Sequence, residues 1–247
     1  MNPHTQPAQR AVSIYATGEH PCAYLPERRA RTLFVDPREP LNAGAYSSLV
    51  DQGFRRSGEY VYRPGCPSCS SCQSLRIPVA EFAPSRRHRR CLKLNSRLRI
   101  HVLPPTFREE HFALYQRYIT HRHAGSQMAD PSPRQYLDFL TASWAQTVFY
   151  EFREDDRLLA VSVVDELTYG LSAVYTFYEP ELPKRGLGTL SILWLINETR
   201  QLGLPYLYLG YWIAECEQMS YKSGFRPHEV FVDGQWRRVE QEASYCG

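Results

Sequence analysis

Phe107, His111, Leu114 and Tyr118 recur at spacings of four, three and four, which predicts one buried face of a helix over 107–123. Thr106 and Glu109 stand at capping-box spacing at its start. A second helix is predicted over 133–145. From 147 the period changes: 147–153, 158–165 and 170–178 are rich in Val, Tyr, Phe and Thr and read as strands. A helix over 187–202, a strand over 205–210, a helix over 215–223 and a strand over 228–233 follow. Ahead of residue 105 the pattern is broken by Pro21, Pro26, Pro37, Pro40, Gly44, Gly53 and Gly58. That predicts loops with short strands and one helix near 42–52, then strands at 74–80 and 98–103. The expected organisation is an irregular, cysteine-bearing part, 1–104, and an α/β part, 105–247.

The 247 residues are 43% hydrophobic and 22% charged, an ordinary globular balance. A net charge of +3 excludes a polycation, so the distribution of charge says more than its total. No apolar run reaches the ~18 residues that span a bilayer. The first residues lack a basic stretch followed by an apolar one, so no signal peptide is expected and the cytosol is the default. There, seven cysteines are thiols or metal ligands before they are disulfides.

Residues 63–79 concentrate the chemistry. Cys66, Cys69 and Cys72 are spaced two apart, and Arg76 follows. Residues 82–108 hold no Asp or Glu but carry Arg86, Arg87, Arg89, Arg90, Lys93, Arg97 and Arg99. A thiol cluster leading into a one-sign segment suggests a metal-bearing element beside an RNA- or anion-binding surface. A solvated basic face is the plainer alternative.

Several motifs resemble one family. They are Pro21-Cys22-Ala23-Tyr24-Leu25-Pro26, Gly53-Phe54-Arg55-Arg56-Ser57-Gly58, Tyr62-Arg63-Pro64 with the cysteine run, and Arg90 to Asn95. Ser172 to Tyr178, Leu187-Gly188-Thr189, Tyr208 to Ile213 and Met219-Ser220-Tyr221-Lys222 complete the set. Together they resemble bacterial aspartate/glutamate leucyltransferases, relatives of eukaryotic arginyl-tRNA–protein transferases. The resemblance implies an α+β chain: a cysteine-bearing N-terminal domain, then a GNAT (acyl-CoA N-acyltransferase)-like domain. It implies transfer of an amino acid from aminoacyl-tRNA to the α-amine of proteins beginning with Asp or Glu, feeding N-degron proteolysis. Two positions depart from the pattern. Leu25 stands where eukaryotic relatives have the second cysteine of Cys-x-x-Cys, and Gly186 stands where many bacterial relatives have Ser.

The ester of such a donor is already activated, so the chemistry requires no cofactor, neither ATP nor CoA. An α-amine has a pKa of about 7.7–8.0 and is partly neutral at cellular pH. Positioning and oxyanion stabilisation are then the main tasks. Asp165 is the candidate to orient the amine or accept its proton, with Tyr175, Tyr178, Tyr211 and Lys222 lining the same cleft. Core packing is the alternative for each tyrosine. Arg76, Arg90 and Lys93, in matched motifs, are candidates to hold the acceptor carboxylate. Arg86, Arg87, Arg89 and Arg97 are candidates for tRNA phosphates. Arg185, Gly186 and Gly188 join them, because they open a predicted helix after a strand. Cys22, Cys66, Cys69 and Cys72 could hold an iron–sulfur cluster or zinc; metal-free thiols are the alternative. Cys91, Cys216 and Cys246 read as ordinary thiols, and His121 and His123 as helix-ending residues.

Acetyltransferases place Gln or Arg three residues before the first glycine of this loop, and here that position is Pro183, which argues against CoA. Three alternatives stay open: an arginyl donor with the same acceptors, a CoA-dependent N-acetyltransferase, and a non-catalytic RNA-binding metal protein.

Overall fold

A computed structural model describes residues 12–122 and 131–239. In chain order these form β1 (Ile14–Ala16), β2 (His20–Pro21), β3 (Arg29–Ala30), β4 (Thr32–Val35), α1 (Ala43–Asp51), β5 (Arg55–Ser57), β6 (Tyr60–Pro64) and β7 (Gln73–Pro78). Then come α2 (Arg86–Leu94), β8 (Arg99–Leu103), α3 (Glu109–Arg122), α4 (Pro133–Leu140), β9 (Thr147–Glu154), β10 (Arg157–Leu167) and β11 (Gly170–Tyr178). Finally come α5 (Leu187–Gln201), β12 (Tyr206–Trp212), β13 (His228–Val232) and β14 (Gln235–Val239). His123 and Cys246 lie outside the described residues.

The α+β expectation is met by an eight-stranded sheet in the order β14-β13-β7-β12-β11-β10-β9-β8. Only β11 and β12 are parallel; every other neighbouring pair is antiparallel. Strand alternation sends alternate side chains to opposite faces. Tyr150, Phe152, Ala160 and Val164 pack with Leu187, Leu193 and Ile196 of α5. Phe149, Val161, Val163 and Phe177 pack with Leu114, Tyr115 and Ile119 of α3 and Tyr136 of α4. Val163 and Val164 serve opposite faces by this alternation, and the register shift beside them leaves Val174 of β11 as the extra, unpaired residue.

A second sheet, β1-β4-β6-β5, and α1 cover the end of the large sheet. Val35, Val50, Phe54 and Val61 pack there with Leu167 and Tyr208. Full burial of such a side chain contributes about 1.5–3 kcal/mol. The boundary expected at 104 does not coincide with a sheet boundary: β7 and β8 both precede it and both lie in the eight-stranded sheet.

Local differences from the sequence expectation have local causes. The helix predicted over 133–145 ends at Leu140 because Thr141 is extended. The predicted helix over 215–223 is a 3-10 helix, Glu217–Gly224. The basic segment contains a full helix, α2, started by a capping box between Ser85 and His88.

Candidate active site

β11 and β12 pair only from Gly170 to Ser172 and from Tyr206 to Tyr208. Beyond that, β12 shifts register between Tyr208 and Tyr211, and β11 runs on to Tyr178 paired with β10 only. The parting opens a cleft of about 570 Å³ between α3, β11, β12 and the start of α5. Tyr175, Tyr178, Gly186, Gly188 and Lys222 all line it, so the structure brings these sequence candidates together. Tyr118, His121, Arg122, Leu209 and Tyr221 line it too. Ala173, Val174, Leu182, Leu187 and Ile192 make its apolar wall, and no Asp or Glu lines it among the described residues.

Gly188 is required for shape. A Cβ there would stand 3.1 Å from Cε1 of Tyr178, so a larger residue would push that ring. Gly186 is the N-cap of α5 and provides no side-chain cap. The first N–H groups of α5 therefore face the cleft mouth unclaimed by a side chain, a favourable place for an anion. Burial raises the Tyr175 and Tyr118 hydroxyls above their ordinary pKa, so both remain proton donors. Tyr118 and Tyr178 meet at 4.9 Å between ring centroids. Lys222 donates from Nζ to the Tyr211 carbonyl at 2.5 Å. Burial, with the Arg55 guanidinium adding to the effect, brings its ammonium down to about 8. Tyr211 itself lies outside the cleft lining and donates its hydroxyl to the carbonyls of Gly53 and Tyr62.

α2 lies beside the cleft mouth. Asn95, just past its end, donates to the Arg185 carbonyl at 2.9 Å and accepts from Arg185 Nε at 2.7 Å. Arg185 also forks onto Glu154, so it fixes this turn instead of facing solvent with a free guanidinium. Arg86, Arg87, Arg89, Arg90, Lys93 and Arg97 are all exposed.

Two expected site residues lie elsewhere. Asp165 is fully buried, outside the cleft lining, and both its oxygens are taken. Arg56 donates to it from Nε at 2.6 Å and Nη2 at 2.7 Å, Thr147 at 2.7 Å and Tyr46 at 3.0 Å. No lone pair faces a substrate, so the geometry makes it an anchor between the two sheets and not a proton acceptor. Arg76 is also spoken for. It donates to Glu229 and Asp51, each at 2.7 Å, with its guanidinium carbon 3.6 Å from the Tyr206 ring centroid and 4.2 Å from that of Trp236. An acceptor carboxylate would have to displace two internal ones. Arg76→Ala is expected to lower stability by about 2–4 kcal/mol by stranding those carboxylates, read by denaturant unfolding. Peptide affinity of the folded fraction should stay unchanged.

The thiols gather at another place. Cys66, Cys69 and Cys72 line a cavity of about 300 Å³, and Cys22 packs against the same cluster as Cys72. Burial, with the other three thiols adding to it, pushes Cys72 up to about 12. Cys69 is lowered by hydrogen bonds from the Ser71 backbone and Arg28. Backbone N–H groups of Leu25 and Arg31 point at the sulfurs of Cys22 and Cys66. Among the described residues, no three Cys, His, Asp or Glu side chains are arranged to hold a metal ion.

Arg55 was not singled out by sequence, although it sits in a matched motif; its only signal was an Arg pair between two glycines in a strand-length run.

Comparison with known proteins defines the class: the chain belongs to the arginine-tRNA-protein transferase family. The family's C-terminal model matches residues 110–232 and its N-terminal model residues 20–90. Similar relatives are named aspartate/glutamate leucyltransferase. That of Alkalilimnicola ehrlichii is 58% identical over 93% of this chain and 97% of its own length. That of Halorhodospira halophila is 53% identical over 93% and 98%, and that of Pseudomonas aeruginosa 50% over 91% and 96%. Among solved structures, L-PGS from Bacillus licheniformis is similar with a TM-score of 0.47 at 14% identity, over 68% of this chain and 58% of that one.

Proposed function

We propose that the protein moves leucine from Leu-tRNA to the α-amine of proteins that begin with Asp or Glu, marking them for N-degron proteolysis. The family supplies the reaction class, aminoacyl transfer from tRNA to protein. Leucine in preference to arginine is carried by the cleft lining. It has an apolar wall and, among the described residues, no carboxylate to pair with a guanidinium. An arginyl pocket would need one.

In this reading, residues 105–247 carry a GNAT-like fold. Antiparallel β9, β10 and β11 lead into α5 and then a parallel β12, with the cleft where β11 and β12 part. The start of α5 at Gly186 receives a phosphate of the tRNA 3′ end, and the tyrosines offer faces on which terminal bases stack. The neutral α-amine attacks the ester carbonyl. The carbon–oxygen bond to the terminal ribose breaks, an amide forms, and the amine proton passes to the departing ribose oxygen. Tyr175 and Tyr178, whose hydroxyls bond no described residue, are the donors placed to stabilise the oxyanion.

The thiols take no part in these steps. As arranged, they do not form a metal site, but their mutual proximity keeps Cys22, Cys66, Cys69 and Cys72 as the proposed iron–sulfur or zinc set. Metal analysis of anaerobically purified protein tests this set: about one metal site per chain would support it, and none would agree with the arrangement of the thiols. Full activity of metal-free protein would leave the thiols a structural role only.

The reading is tested by incubating the protein with an Asp-initiated peptide and either Leu-tRNA or Arg-tRNA, read by intact mass. A leucine gain with Leu-tRNA alone is expected. A gain only with Arg-tRNA would overturn the donor assignment, and no gain from either would overturn the reaction.

A further inference from the structure

Three arginines are buried among the described residues, Arg55, Arg56 and Arg76, at 6%, 6% and 8% exposure. Two of them hold internal carboxylates: Arg56 clasps Asp165, and Arg76 bridges Asp51 and Glu229. Arg55 holds none. Its Nη1 donates to the carbonyls of Val50 and Phe54, while Nε and Nη2 are buried with no hydrogen-bond partner among the described residues. That same Nε/Nη2 edge is the one that Arg56, its neighbour on β5, uses to grip Asp165. An uncompensated buried guanidinium costs several kcal/mol, so an empty fork is not a neutral feature.

The empty edge lies near a second cation. Gly210, at φ 75° in the register shift of β12, has no side chain to fill the space. A Cβ placed on it would lie 4.0 Å from Arg55 Nε and 3.9 Å from Lys222 Nζ. The two nitrogens are therefore no more than about 8 Å apart beside this glycine. A carboxylate making contacts of about 2.8 Å to each spans such a gap. Lys222 lines the cleft, and no Asp or Glu pairs with it or with Arg55 among the described residues. The rings of Tyr208 and Tyr211 flank the Arg55 guanidinium at 5.7 and 5.9 Å.

We infer that Arg55 and Lys222, across Gly210, form the site that receives the side-chain carboxylate of the acceptor's first residue. The inference rests on the aminoacyl-transfer reading for the identity of that ligand. It assigns recognition to the cleft-lining Lys222 and the buried guanidinium of Arg55 behind Gly210, and not to Arg76 or to the exposed Arg90 and Lys93. A carboxylate seated there leaves the attached α-amine on the cleft side, toward Tyr175 and Tyr178. An amide in its place would set an NH₂ group against two cations, so Asn- and Gln-initiated chains are rejected.

The test is direct binding, without tRNA, of an Asp-initiated tripeptide and its Asn-initiated counterpart to the full chain, by calorimetry. The wild type is expected to prefer the Asp peptide at least tenfold. Arg55→Met and Lys222→Met should each bring the Asp peptide down to the Asn peptide's affinity. Lys222→Met carries the test if Arg55→Met does not fold by thermal unfolding. An Asp preference that survives both changes, or that survives Lys222→Met alone when Arg55→Met is unfolded, overturns the assignment. So does a wild type without the preference. Leucine transfer is scored separately. Transfer by the wild type with no effect of the variants on peptide affinity sinks this site and leaves the reaction intact. A variant-sensitive Asp preference without leucine transfer sinks the reaction and leaves the site.

Discussion

Asp165→Asn is expected to lower the unfolding free energy by about 3–5 kcal/mol, the cost of breaking a buried ion pair by removing one partner. The carboxylate is fully buried and accepts four hydrogen bonds, two of them from one guanidinium. Asparagine keeps the volume but exchanges one acceptor oxygen for a donor. That donor must face Arg56, Thr147 or Tyr46, all of which donate in the native arrangement. Arg56 Nη1 already lacks a partner among the described residues, so the guanidinium has no spare compensation. For a chain of this size the loss corresponds to a fall in melting temperature of about 6–20 °C. Thermal unfolding and steady-state kinetics on the same samples separate structure from catalysis. Well below the lowered melting point, turnover per folded molecule should match the wild type. A hundredfold loss of turnover with unchanged melting would return Asp165 to the reacting centre.

Neutralising Arg86, Arg90 and Lys93 together to Gln is expected to weaken tRNA binding by roughly tenfold per lost phosphate contact at low salt. The slope of log affinity against log salt should fall by about two to three. These residues stand four and three apart on α2 and share one exposed face. The helix carries no acidic residue to offset them, and its single fully buried side chain is His88. The change should therefore leave stability alone. Asp-peptide affinity should also stay fixed, because the cleft lining includes none of the three. An unchanged salt slope would reduce the face to a solvated surface. A loss of peptide binding would give Arg90 or Lys93 the acceptor role that the buried pair is here assigned.

The sequence was most legible where apolar period is the cause of structure. α3, β9, β10, β11 and α5 are specified by residues that repeat on one face, and each was expected within a few positions. α2 was missed because its inner face is built from His88, Cys91 and Asn95. Their spacing of three and four is helical, but none is a hydrophobic marker. His88 stacks on Phe225 at 4.9 Å, Cys91 packs under the Arg185–Gly186 turn, and Asn95 bonds Arg185 just past the helix end. Tyr175, Tyr178, Lys222 and the two glycines could be placed in one cleft by motif. Asp165 and Arg76 could not be excluded from it, because what disqualifies them is distant in the chain. Arg76 meets Asp51 and Glu229 across 25 and 153 positions, and Arg56 meets Asp165 across 109. Arg55 has the opposite character. What matters is a missing partner, and absence leaves no mark in a sequence.

The position of β7 has a consequence for how the chain is made. Its neighbours in the sheet, β12 and β13, are synthesised more than a hundred residues later. Until they emerge, Leu75 and Ile77, both fully buried in the finished protein, have no sheet to join. Neither edge of β7 can be paired by anything nearby in sequence. Early folding of the thiol-bearing segment on the ribosome is thus denied a strand that it needs, and the large sheet closes late, nearly at once, around a segment held open from the beginning. A chain released before residue 206 would expose both of that strand's edges and the thiols beside it together, so such truncated products should aggregate and cross-link under oxidising conditions where the full chain does not.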